Sequence, residues 1–167
     1  MKALLNYFVD LCLLRAGPQD LPSSKVLLIL TTLANTAVGV VMIMDARGGG
    51  GNALAESGFE VALMLASLYL GLKLRRLLPR FYQVATALMG SGLLLGLLAL
   101  PLVRWSQRAE SSEAGLLLLV LFIWSMVVMG HILRHSFDIR FNLGLGVAVL
   151  YTLMAWNLTY LFFPAVA

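Results

Sequence analysis

Five long apolar stretches occupy most of the chain from residue 26 onward, and they limit its possible folds more than any other feature. They cover residues 26–44, 57–72, 81–103, 115–133 and 142–163. All but the second are free of Asp, Glu, Lys and Arg. Each of these four has close to the roughly 20 residues needed to cross about 30 Å of hydrocarbon. Inside lipid a backbone must satisfy its own hydrogen bonds, so each stretch is expected to be helical. The chain is 60% apolar and 12% charged, against roughly 45–50% and about 25% in soluble domains. A water-soluble fold of 167 residues has too little interior for that much apolar surface, whereas a bilayer accommodates it.

The second stretch is the least regular. Only the residues between Glu60 and Lys73 are uncharged. A crossing there requires Glu60 near one headgroup layer and Lys73 snorkelling to the other. Charge distribution favours that crossing. With five spans and the N-terminus in the cytoplasm, the cytoplasmic side holds Lys2, Arg15, Lys25, Lys73, Arg75, Arg76, Arg80, Arg134 and Arg140. The outer side holds Arg47, Arg104 and Arg108. With the second stretch on one side only, residues 73–80 and 134–140 would move outside and reverse the bias. The positive-inside rule therefore predicts five spans. Asp45, Glu56, Glu60, Glu110 and Glu113 then fall on the outer side.

The N-terminus lacks a signal-peptide cleavage pattern. Asn6 and Asp10 interrupt its apolar run and Arg15 closes it. Lys2, Asn6 and Asp10 form a narrow polar stripe, with Leu4, Leu5, Phe8, Leu11 and Cys12 around it. That pattern predicts an amphipathic helix over residues 3–16 on the cytoplasmic interface. Pro18 and Pro22 break the chain after it, Gly17 suits a helix C-cap, and Ser23 or Ser24 suits the next N-cap. The expected organisation is all-α. Residues 1–25 form an interfacial helix and Pro-containing linker, and residues 26–167 form a five-helix transmembrane domain.

The expected loops are short. Residues 45–56 contain four consecutive glycines, Gly48 to Gly51, and suit a flexible outer loop. Residues 74–80 suit a tight basic turn closed by Pro79.

The formal charge of +4 does not indicate nucleic acid, because the basic residues flank apolar stretches and are not interleaved with aromatics on a polar surface. Cys12 is the only cysteine, which excludes an internal disulfide and a multi-cysteine metal site.

Several polar residues inside the spans are candidates for function. Thr32, Asn35, Thr36 and Gly39 share a helix face in the first stretch, with Asn35 near the midplane. A polar side chain there faces another helix, a cavity or a ligand. Glu60 is the acidic residue within a span and shares a face with Met64, Ser67 and Gly71. It suits a cation or proton site, or an interfacial carboxylate at shallow depth. His131, His135 and Asp138 have helical spacing that could gather metal ligands. They lie at a span boundary beside Arg134, so solvated polar residues are expected there and no metal is predicted. Gly92 and Gly96 form a GxxxG pattern suited to close helix packing. Asn157 and Thr159 spell a glycosylation acceptor, but inside a span. Tyr82, Trp105, Trp156 and Tyr160 suit interfacial belts. Neither a nucleophile elbow nor a phosphate-binding glycine loop occurs, so neither catalytic residues nor cofactors are predicted.

The run Leu-Leu-Arg-Ala-Gly-Pro-Gln-Asp-Leu-Pro over residues 13–22, followed by five spans, resembles the bacterial branch of the Yip-domain family of small polytopic membrane proteins. The resemblance implies a cytoplasmic N-terminus, five spans and no catalytic centre. Eukaryotic members meet small GTPases, but their long N-terminal region has no counterpart here. The expected function is a non-enzymatic scaffold or accessory subunit of the bacterial inner membrane. It would contact another membrane protein, or a second copy, through Arg15, Pro18, Gln19 and Asp20. The alternative is a small transporter or lipid-handling protein that uses Asn35 and Glu60.

Overall fold

The computed structural model describes residues 2–109 and 112–164. Glu110 and the side chains of Lys2 and Arg108, counted in the charge distribution above, fall outside the described part. Among the described residues there are six α-helices and no strand. They are α1 (Lys2–Cys12), α2 (Lys25–Ile43), α3 (Gly50–Leu74), α4 (Phe81–Ala109), α5 (Ser112–Phe137) and α6 (Phe141–Phe162). Short 3₁₀ turns at Pro18–Asp20 and Leu78–Arg80 precede α2 and α4. The last five helices are long and apolar enough to span a bilayer. The chain is a multi-pass membrane protein.

Two expected boundaries need correction. The second span is longer than the apolar stretch implied: α3 starts at Gly50 and has 25 residues, about 37 Å at 1.5 Å per residue. Gly50 and Gly51, expected in a loop, form its first turn. Polar groups there are satisfied locally. Arg47 forms an ion pair with Glu56, and Asn52 Nδ2 donates to the Arg47 carbonyl at 3.2 Å. Hydropathy alone could not include these residues because it scores them as polar.

The N-terminal helix is shorter than expected, ending at Cys12. Leu14 adopts φ 62°. The Arg15 N–H reaches back to the Asp10 carbonyl at 2.8 Å, and the Leu14 N–H to Leu11 at 3.1 Å. This is a Schellman cap. α3 and α5 close in the same way, with Arg76 at φ 58° and Asp138 at φ 52°. The Leu77 and Ile139 N–H groups then bond five residues back, to Leu72 and Arg134. Gly17 is not a C-cap. It sits in extended backbone and opens the first 3₁₀ turn, with its N–H donating to Asp20 Oδ2 at 3.1 Å.

Hydrophobicity gives little drive for helices to associate in lipid, so close fit decides the packing. α4 is the central helix, buried on all sides from Val84 to Ser91. Ala85, Ala87 and Gly90 leave room for its neighbours. α1 seats against this segment. The Phe8 ring lies over Gly90, where a Cβ would collide with it. Leu11 is fully buried with Leu72, Val84, Val128 and Ile132. Trp124 Nε1 donates to the Cys12 carbonyl at 3.1 Å, and His131 Nε2 to Ala16 at 2.9 Å. α1 is therefore built into the bundle through α4 and α5. Burial pushes the Cys12 thiol up to about 11. Burial, with the Asp20 carboxylate nearby, also raises the Tyr7 phenol.

Contacts at the two ends separate the charges. At one end Gln83 Nε2 donates to Leu21 at 2.7 Å, and Arg80 pairs with Asp138 at 2.9 Å. This end, which also carries Lys73, Arg75 and Arg76, is the basic end. At the glycine-rich end Arg47 also donates to Pro164 at 3.0 Å, and Arg104 meets Asp45 at 3.8 Å.

Candidate functional site

Asn35 and Glu60 come from different spans, yet they line one open cavity of about 400 Å³ between α2, α3, α4 and α6. The register that brings them together is set by Ser57. Its hydroxyl donates to the Thr36 carbonyl at 3.2 Å. It fits there because Gly39 has no Cβ to occupy that space. Glu60 lies three residues further along α3, about 4.5 Å along the axis, which brings it level with Asn35. Asn35 is ten residues into the 19-residue α2, close to the middle of a span. Glu60 thus lies one turn inward of Ser57, beside the Phe59 ring that reaches Phe162 and Phe163 at the end of α6. Ten residues of α3 precede it, about 15 Å of helix.

The polar groups in the cavity are few. The Thr152 hydroxyl donates to the Ala148 carbonyl at 2.9 Å, and Ser57 is taken up by Thr36. Asn35 Nδ2 has a weak contact to Met89 Sδ at 3.9 Å, and its Oδ1 lies against Gly92. Glu60 forms no ion pair or hydrogen bond among the described residues. Arg47, a cation on the neighbouring loop, is engaged with Glu56, which is 5% exposed. Half-buried Tyr151 and Trp156, which is 69% exposed at the cavity's rim, line it from α6, with Met64 and Met89. The exposed Glu60 carboxylate and the half-buried Asn35 amide face an open recess between apolar helices, which suits a cation or a hydrogen-bond donor.

A second cavity of about 110 Å³ continues towards the basic end and shares Met64, Leu88 and Tyr151 with the first. Phe137 lies across Gly71 at its lower end, where a Cβ would stand 3.1 Å from the ring. At the glycine-rich end Phe59 meets Phe162 and Phe163, with ring centroids 5.4 and 5.7 Å apart.

No family model, curated protein or solved structure matches this chain.

The remaining candidates lie outside the cavity. Gly92 lies against Asn35 and Gly96 against Val38, so the GxxxG face seats α2 within the same chain. Pro18 is buried, while Arg15, Gln19 and Asp20 are exposed. Within residues 15–22, Gly17 accepts from the Tyr7 hydroxyl, Asp20 binds the Gly17 N–H, and the Gln19 and Leu21 carbonyls accept from Gln83. His131 is bonded to Ala16, His135 meets His131 edge-on with centroids 4.7 Å apart, and Asp138 turns away to Arg80. No group of three or more His, Cys, Asp or Glu side chains is placed to hold a metal among the described residues. Asn157 Nδ2 donates to Leu153 within its own helix at 2.7 Å.

Tyr151, Met89 and Trp156 were not singled out as site residues from the sequence. Tyr151 is the one with a local signal, a phenol in the interior of an otherwise apolar span.

Proposed function

We propose that the protein binds a small amphiphilic molecule within the membrane and handles or moves it, with no covalent step. The supporting observation is the meeting of Asn35 and Glu60, from two different spans, in one cavity. Its volume of about 400 Å³ falls in the range of roughly 300–1,000 Å³ usual for small-molecule sites. The second cavity, beyond Met64, Leu88 and Tyr151, supports movement along the bundle. We place the basic end and the N-terminus in the cytoplasm from the clustering of Lys and Arg, and the chain in a bacterial inner membrane from the resemblance of residues 13–22 to the bacterial Yip-domain proteins. A reporter fused after Ala167 that works only in the cytosol would overturn that orientation.

The binding is tested with an acyl-chain probe bearing a diazirine, photolysed with the protein in lipid nanodiscs. Labels are expected on the cavity faces of α3 and α6. Asn35→Leu should lower that labelling several-fold while leaving the yield of folded protein unchanged. Labels confined to outward residues such as Leu116, Val120 and Leu150 would reject the site.

The scaffold reading has support in the exposed Arg15, Gln19 and Asp20. Most other groups of residues 15–22 are engaged inside the chain. Kinship with the bacterial Yip-like proteins rests on this same segment and is likewise a proposal. Crosslinking that recovers a defined membrane-protein partner through Arg15 would favour it over the cavity.

A further inference from the structure

The unpaired carboxylate defines what the cavity accepts. We propose that the ligand carries one positive charge, as a protonated amine or quaternary ammonium headgroup, and docks it between Glu60 and the rings of Tyr151 and Trp156. This rests on the reading of the cavity as a ligand site.

Glu60 is placed where a bare charge is expensive. An acidic side chain at the centre of a spanning helix costs about 2.5–3.5 kcal/mol on insertion scales. Intramembrane charges therefore pair with one another or line a polar path. Among the described residues Glu60 has no partner: Arg47 is held by both Glu56 oxygens and the Pro164 carbonyl, and no described Lys, Arg or His lines the cavity. An anionic headgroup would meet only a like charge there. A neutral headgroup would leave the carboxylate unpaired. A cation neutralises it, and a single carboxylate matches a single charge.

The rest of the wall suits the same headgroup. Asn35 Oδ1 is free to accept an N–H from an amine. Tyr151 and Trp156 supply aromatic rings, and a cation within about 6 Å of such a ring gains roughly 0.5–2 kcal/mol. Val38, Val61 and Leu88 give the apolar contact that an alkyl chain requires.

The test compares four probes of equal chain length: dodecylammonium, dodecyltrimethylammonium, dodecanol and dodecanoate. Each competes with the diazirine probe for the cavity in nanodiscs at neutral pH. Both cations should displace it at least tenfold better than the alcohol, and the carboxylate should be the weakest. Glu60→Gln should remove the preference for cations and leave dodecanol within twofold of its native affinity. Retained affinity for dodecanol shows that the variant is folded. Glu60→Asp should keep part of the cation preference. If all four probes compete equally and Glu60→Gln changes nothing, the charge assignment is wrong while the cavity stands. If no probe competes and no cavity label forms, the cavity reading fails too.

Discussion

Alanine at Gly144 should push α6 away from α5, and the structure sets the size of the effect. A Cβ at Gly144 would stand 2.5 Å from the Gly130 carbonyl oxygen and 3.1 Å from the Arg134 nitrogen. Carbon–oxygen contacts between packed helices settle near 3.3–3.6 Å, so the helices must separate by about 1 Å. No rotamer relieves this clash, because the opposing atoms are backbone. Overpacking of this kind costs about 1–3 kcal/mol. The intrinsic helix gain of Ala over Gly, about 1 kcal/mol, offsets part of it. Gly146→Ala on the same helix is the control, since a Cβ there meets nothing within 4 Å. The propensity gain is common to both variants, so Gly144→Ala should be less stable than Gly146→Ala by about 1–3 kcal/mol. Reversible unfolding in mixed micelles, followed by circular dichroism, measures the difference. Moving α6 also moves Tyr151 and Trp156, so probe labelling of the cavity should fall in Gly144→Ala alone. Equal stability of the two variants, within about 0.5 kcal/mol, would refute the backbone contact.

Other perturbations have equally definite outcomes. Arg47→Ala leaves the Glu56 carboxylate buried without its cation and should cost about 3–5 kcal/mol in the same unfolding assay; Arg47→Ala with Glu56→Gln should recover much of that, and no recovery would show that the charge is not the cause. Gly90→Val strikes the Phe8 ring and should release α1, exposing the bond after Arg15 to trypsin, while Phe8→Ala in the same chain should restore protection. Cys12 should resist iodoacetamide at pH 8, with alkylation accelerating only as pH approaches about 11. The raised value means that the folded protein favours the neutral thiol, so reactivity rises with pH and stability declines as the thiolate forms. Native alkylation at pH 8 as fast as in the SDS-unfolded chain would contradict the burial.

The five spans were legible because lipid demands long apolar helices whatever their packing. The length of α3 was not, because its first turns contain Gly50, Gly51, Asn52 and Glu56, which are stabilised by Arg47 and not by hydropathy. The end of α1 was obscured for a related reason. Gly17 is the residue that favours positive φ, yet Leu14 takes that conformation and buries part of its side chain against the bundle. Arg76 and Asp138 do the same without a glycine. At the candidate site, Asn35 and Glu60 stood out individually as polar residues among apolar ones. Their meeting depends on the Ser57–Gly39 register between two helices, and no periodicity within one helix encodes that.

The seat of α1 has a consequence for biogenesis. Phe8 waits for Gly90, the Cys12 carbonyl for Trp124 and the Ala16 carbonyl for His131, so these residues dock against partners that leave the ribosome well after them. Until α5 has entered the membrane, the N-terminal segment has only its α4 contacts, through Phe8 and Leu11, and lacks its bonds to Trp124 and His131. A nascent chain halted before Trp124 should therefore hold residues 8–16 less firmly, so that a protease cuts there faster than in the finished protein.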